Sequence, residues 1–172
     1  MRLYRFSPIK SEDELIEVIK YLHISCNKLC FKILGKYLAV AGNIGIFSHY
    51  DEEFNKLKRI QKKITLKPDE YNNKYLNLKN AIKIDAEFGV SEGIYEYLYV
   101  RGVDPYRSHV GDIDFYLDEK EYFKLKKLVE LNKVKGARYL DRLDMIELFD
   151  PDFDVLVYIS SLRWFDRIEA KK

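Results

Sequence analysis

The sequence predicts an α+β fold, a single mainly antiparallel sheet with three helices packed largely on one face. Three observations carry this. An apolar stripe of helical spacing runs over residues 11–33. Two further charge-polarised helical stretches begin near Asp51 and Asp118. Between and after them lie short runs rich in Val, Ile, Tyr and Phe, bounded by turn residues. Helices grouped apart from runs of strands favour antiparallel pairing over alternating β-α-β units.

The elements follow in order. Ser11 with Glu14 is a capping box. Leu15, Ile19, Leu22, Cys26, Leu29 and Ile33 then recur at spacings of four and three, and Gly35 is placed to end the helix. Tyr37 to Phe47 reads as a strand, bent or bulged at Gly42 and Gly45. Asp51, Glu52 and Glu53 suit the positive end of a second helix, and Lys58, Arg59, Lys62 and Lys63 its negative end. Phe54, Leu57, Ile60 or Gln61, and Ile64 trace its inner face, and Pro68 closes it. Residues 66–93 alternate only at Leu76/Leu78 and Ile82/Ile84, which suggests short edge strands or a long excursion.

In the second half, Tyr95 to Gly102 and His109 to Leu117 read as a hairpin. Asp118-Glu119 opens a helix to about Leu131, with Tyr122, Leu125, Leu128 and Val129 inward. Met145 to Phe149 and Phe153 to Ile159 flank the turn signal Asp150-Pro151-Asp152. The tail Arg163 to Lys172 suggests a short helix.

At 172 residues the chain suits one globular domain over 1–172, large enough to bury a core without disulfides or metals. It is 47% apolar and 34% charged, which excludes a disordered chain. No apolar run is long enough to span a bilayer, and Met1-Arg2-Leu3-Tyr4-Arg5 lacks a leader pattern. Cys26 and Cys30, four apart on one helix, fit a disulfide poorly. A cytoplasmic protein without membrane partners is therefore expected. Residues 1–86 hold 16 Lys and Arg against 10 Asp and Glu, and residues 87–172 hold 14 against 18. Any basic surface must be local.

The stretch Tyr97 to Leu117 is the richest in chemistry. Arg101, Arg107 and His109 share a loop, and Asp112 and Asp114 follow it two residues apart. On a strand such residues point to the same face. Paired carboxylates suit Mg²⁺ or another divalent metal, and arginines suit phosphate. Gly102-Val103 followed by Asp112-Ile113-Asp114 resembles the core of the nucleotidyltransferases, in which a Gly and a small residue precede an Asp-apolar-Asp strand. The resemblance implies a divalent metal on Asp112 and Asp114 and a third acid from a later strand, Asp154 or else Glu147. Val103 and Pro105 depart from that pattern.

Other groupings read more plainly. His49 and His109 with an Asp would make a mixed metal site only if their strands are neighbours. His23, Cys26 and Cys30 face one side of the first helix, where core packing is expected over zinc. Gly42-Asn43-Ile44-Gly45 reads as a bulge, and Asp150-Pro151-Asp152 as a polar turn. Lys58, Arg59, Lys62 and Lys63, with Tyr71, Lys74 and Tyr75 soon after, are a route to nucleic acid through phosphate contacts and base stacking. The leading expectation is an α+β domain binding a phosphate-bearing ligand, nucleic acid or nucleotide, through the Arg101–Asp114 hairpin loop and the basic helix. The rivals are a metal-dependent phosphodiester or nucleotidyl-transfer enzyme using Asp112, Asp114 and Asp154, and an adaptor that binds another protein through exposed tyrosines.

Overall fold

In the computed structural model, which describes residues 4–172, the capping box starts α1 (Glu12–Leu34). Ser11 Oγ accepts from the Glu14 amide at 3.1 Å, and Glu14 reaches back to the Lys10 amide at 2.6 Å. The stripe Leu15, Ile19, Leu22, Cys26 and Leu29 is fully buried. Gly35 adopts the left-handed conformation, φ 70°, and donates to the Phe31 carbonyl, which ends the helix. Met1 to Leu3, where the leader pattern was sought, lie outside the described residues.

The strands are β1 (Ala39–Phe47), β2 (Leu76–Ile84), β3 (Gly93–Arg101), β4 (Gly111–Tyr116), β5 (Ala137–Leu140), β6 (Met145–Leu148) and β7 (Val155–Ser160). They form one seven-stranded sheet in the order β2-β3-β1-β4-β7-β6-β5. The sheet is mixed, which corrects the mainly antiparallel expectation. β1 runs parallel to β3 and β4 parallel to β7, while the other four pairings are antiparallel.

The expected hairpin of β3 and β4 is also corrected. β1 lies between them, with Asn43 opposite Tyr97 and Ile44 opposite Ile113. The physical reason is the length of the connection. A tight turn forces neighbouring strands together, whereas Gly102 to Val110 is long enough to step over a strand, roughly 5 Å wide. The Arg101–Asp114 loop is therefore a crossover across the end of β1. β6 and β7 do pair antiparallel around the Asp150-Pro151-Asp152 turn.

α1, α2 (Asp51–Ile64) and α3 (Glu119–Glu130) share one core on one side of the sheet. Leu57 and Ile60 enter it from α2, and Tyr122 and Val129 from α3. Leu128 is exposed, contrary to expectation, because Tyr122, Leu125 and Val129 already fill the inward face of α3. A fourth helix, α4 (Trp164–Glu169), lies on the opposite face. There Trp164 and Ile168 pack with Tyr71, Tyr75, Tyr97 and Tyr99. β2 is longer than the sequence suggested and forms an edge, irregular between Asn77 and Ile82. Among the described residues no helix is long and apolar enough to cross a membrane.

Candidate functional site

β4 divides its side chains by strict alternation. Ile113 and Phe115 enter the main core, whereas Asp112 and Asp114 face the α4 side, each only 3% exposed. Gly45 stands opposite Asp112 on β1. A Cβ at Gly45 would lie 2.6 Å from Asp112 Oδ1, so only glycine lets this carboxylate lie across β1. On the other flank Asp112 and Asp114 face Leu156 and Tyr158 of β7.

The pair sits in an unsettled electrostatic environment. The Tyr75 hydroxyl donates to Asp112 Oδ2 at 3.3 Å. Burial pushes the Asp112 carboxyl up to about 6, and the charges of Lys74, Arg101 and Arg107 pull it back. Asp114 is pushed up to about 7, by burial first and then by the charge of Asp112. Asn43 lies close enough to draw the Asp114 carboxyl down, yet Asp114 Oδ1 and both amide atoms of Asn43 are buried without a well-formed hydrogen bond. So are Trp164 Nε1 and Arg167 Nε on α4. Buried polar groups are ordinarily satisfied, so a concentration of orphans on one face points to missing polar contacts there.

Two arginines converge beside the pair. Arg101 ends β3 and Arg107 lies in the crossover, and their Cζ atoms sit 5.0 and 5.4 Å from the centre of the same Phe47 ring. Arg107 Nε is 3.4 Å from Asp104 Oδ2, whereas Arg101 has no ion pair among the described residues. Ser48 Oγ donates to the Arg101 carbonyl at 2.5 Å, and the Asp104 amide donates to the Ser48 carbonyl, which ties the crossover to the end of β1. Next to this end lies a groove of about 700 Å³, lined by Arg107, His109, Arg138, Glu147 and Leu156 among others.

The histidines organise the same corner. His49 Nε2 lies 3.1 Å from the His109 carbonyl, which can only accept, so Nε2 carries the proton. Nδ1 then accepts from Ser7 Oγ at 2.6 Å. His49 therefore anchors the backbone of the crossover, and its ring is not turned toward the carboxylates. His109 Nδ1 is buried without a partner, and burial followed by the charge of Arg107 lowers its proton affinity.

The other predicted residues have partners of their own. Asp154 bonds Arg5 Nε at 2.8 Å and also the Tyr21 hydroxyl, and so does not accompany the pair. Glu147 shares the face of the pair, beyond Tyr158, which stands opposite both Glu147 and Asp114, and it is bridged to Arg138 at 2.7 Å. Among the described residues no three His, Cys, Asp or Glu side chains gather as a metal cluster. Lys58, Arg59 and Lys62 line a separate groove, and Lys63 lies on the same helix, whose apolar side enters the core opposite α4. His23 bonds Tyr95 and the Ser91 carbonyl, and Cys26 and Cys30 are buried in the core. Lys74 and Tyr75, grouped by sequence with the basic helix, instead join the carboxylate pair. Asn43 stood within the glycine-flanked bulge, and its two-residue spacing from Gly45 was the available signal that it shares this face.

No family model matches the chain, and no curated protein matches it. A solved structure described as "Structural Genomics, Protein EC4020" is similar over 100% of this chain and 99% of its own, with a TM-score of 0.54 and 11% identity. At that identity the likeness concerns the fold alone.

Proposed function

We propose that the chain binds a phosphate-bearing ligand, a nucleotide or a nucleic-acid end, at the sheet end where Arg101, Arg107 and Lys74 surround Asp112. The observation that carries this reading is the convergence of two guanidinium groups on Phe47, beside a carboxylate whose ionisation they favour. Planar guanidinium forks match phosphate oxygens two at a time, and a ring beneath them holds the fork in place. Trp164, the chain's single tryptophan, packs 4.5 Å from Tyr75 in the same layer and provides an intrinsic reporter. Titration with ATP, followed by Trp164 fluorescence and calorimetry, tests the reading. Arg107→Ala is expected to weaken binding at least about tenfold, a loss typical of a charge-assisted contact, while leaving the melting temperature nearly unchanged. Unaltered ATP binding in both Arg107→Ala and Arg101→Ala overturns it and favours the adaptor, for which Tyr106, 97% exposed, is the first residue to replace.

A second reading, metal-dependent phosphodiester or nucleotidyl transfer, is favoured by one observation. Asp114 Oδ1 is buried without a partner beside a second carboxylate. The donors fit Mg²⁺ in kind: two carboxylates on one face and the unpartnered Asn43 amide oxygen. Asp112 and Asp114 would hold the ion, which would supply charge stabilisation at a transferring phosphoryl group. Arg101 and Arg107 would orient that phosphoryl group. The two readings part on the neutral substitutions. In an enzyme, Asp112→Asn and Asp114→Asn abolish turnover and the rise in melting temperature produced by Mg²⁺. In a binding module they leave ATP affinity unchanged or slightly tighter, because repulsion of the anion is removed.

A further inference from the structure

Another groove, apart from the arginine site, lies between the last turns of α2 and the start of β2. It is a groove of about 1020 Å³, and the cations along it are Lys58, Arg59, Lys62, Lys67 and Lys79. No carboxylate lines it, and none of these five cations is ion-paired among the described residues. Its floor is apolar, formed by Leu66, Pro68 and Leu76, with Leu66 51% exposed. All five cations are exposed, and three of them are tethered by hydrogen bonds to the chain. Lys79 Nζ donates to the Lys63 carbonyl at 2.7 Å, Lys58 Nζ to Gln61 Oε1 at 2.6 Å, and Arg59 Nε to the Asn55 carbonyl at 3.2 Å. Partial burial also lowers the proton affinity of Lys58, and no anion of the chain offsets it.

We propose that this groove is a binding track for single-stranded nucleic acid, separate from the arginine site and independent of the reading given for it. A row of cations without a single acid is the complement of a phosphodiester backbone, which carries one charge per nucleotide. The apolar floor suits the faces of unstacked bases, which a duplex keeps hidden. An acidic peptide would satisfy the cations and leave Leu66 and Leu76 uncovered unless it alternated acids with apolar residues.

The experiment is fluorescence anisotropy with a labelled single-stranded oligouridylate on the full chain across a salt series. Binding is expected to fall with salt at a logarithmic slope of about −2 to −3.5, as three to five phosphate contacts on a single strand require. The double variant Lys58→Glu/Lys62→Glu is expected to lose at least tenfold in affinity. The milder pair Lys62→Gln/Lys79→Gln is expected to flatten the slope by about 1.4, the share of two phosphate contacts on a single strand. Lys124→Glu, on α3 and outside both sites, is expected to leave oligouridylate affinity unchanged. Failure of the arginine reading therefore shows in ATP binding, and failure of this one in oligouridylate binding. The proposal is overturned by any of four results: no binding of oligouridylate at low salt; equal or tighter binding of an RNA duplex; equal or tighter binding of phosphatidylserine vesicles or a polyglutamate peptide; or binding that neither double variant weakens.

Discussion

Asp114 is held where its own ionisation is opposed. Its carboxyl is raised from the ordinary 3.8 to about 7 in the folded chain. Between those two pH values the folded state binds more protons than the unfolded state, so this group's contribution to stability falls as pH rises from about 4 to about 7, and is flat above. Asp114→Asn removes the titration. The variant is expected to melt higher than the parent at pH 8, by at least about 1 kcal/mol of added stability, with the gain vanishing near pH 4. Asp112→Asn should gain less, because Lys74, Arg101 and Arg107 already offset that charge. Melting curves at four pH values check both. That the two carboxylates share a face was legible from their spacing. Their partners were not, because Gly45, Tyr158 and Tyr75 reach them through strand order and a packed loop, neither of which is local. The cysteines were legible too. Burial pushes both thiols up, so a thiol reagent at pH 8 is expected to label Cys26 and Cys30 only at the rate of unfolding.

Among the helices, α1 buries the most side chains. Leu22 and Leu29 are fully buried, and each should cost about 2–5 kcal/mol on truncation to Ala, by lost transfer energy and the cavity left behind. Urea denaturation measures this, and a loss below about 1 kcal/mol at both sites would mean the stripe is not a core face. Helices were readable because their determinants sit within a few residues: Ser11 and Asp118 cap their helices as the sequence implies, and both accept from the amide three residues on. β5 was not readable. Ala137-Arg138-Tyr139-Leu140 has no alternation of its own and becomes a strand by pairing with β6. The β3–β4 hairpin failed for the opposite reason. Each strand was recognised, but two adjacent strands in sequence need not be adjacent in space when the connection is long.

At the scale of the whole molecule, the sheet separates two chemistries. One face buries the apolar sides of α1, α2 and α3, with a basic groove at its margin. The other carries the carboxylate pair beneath α4. Sequence composition hinted at this through the basic first half, yet the mixing of strands from both halves hides which charges meet. The central place of β1 has a kinetic consequence. Its two neighbours, β3 and β4, are both made later than β1 and α2. A growing chain that has reached only Ser91 therefore carries β1 with both edges bare, with α1 and α2 alone available to cover its apolar side. Long-range pairings of this kind slow folding, and unpaired edges invite association between chains. Synthesis of this protein thus passes through an interval in which a strand central to the finished sheet has no neighbour, and a chain truncated ahead of Gly93 is expected to aggregate.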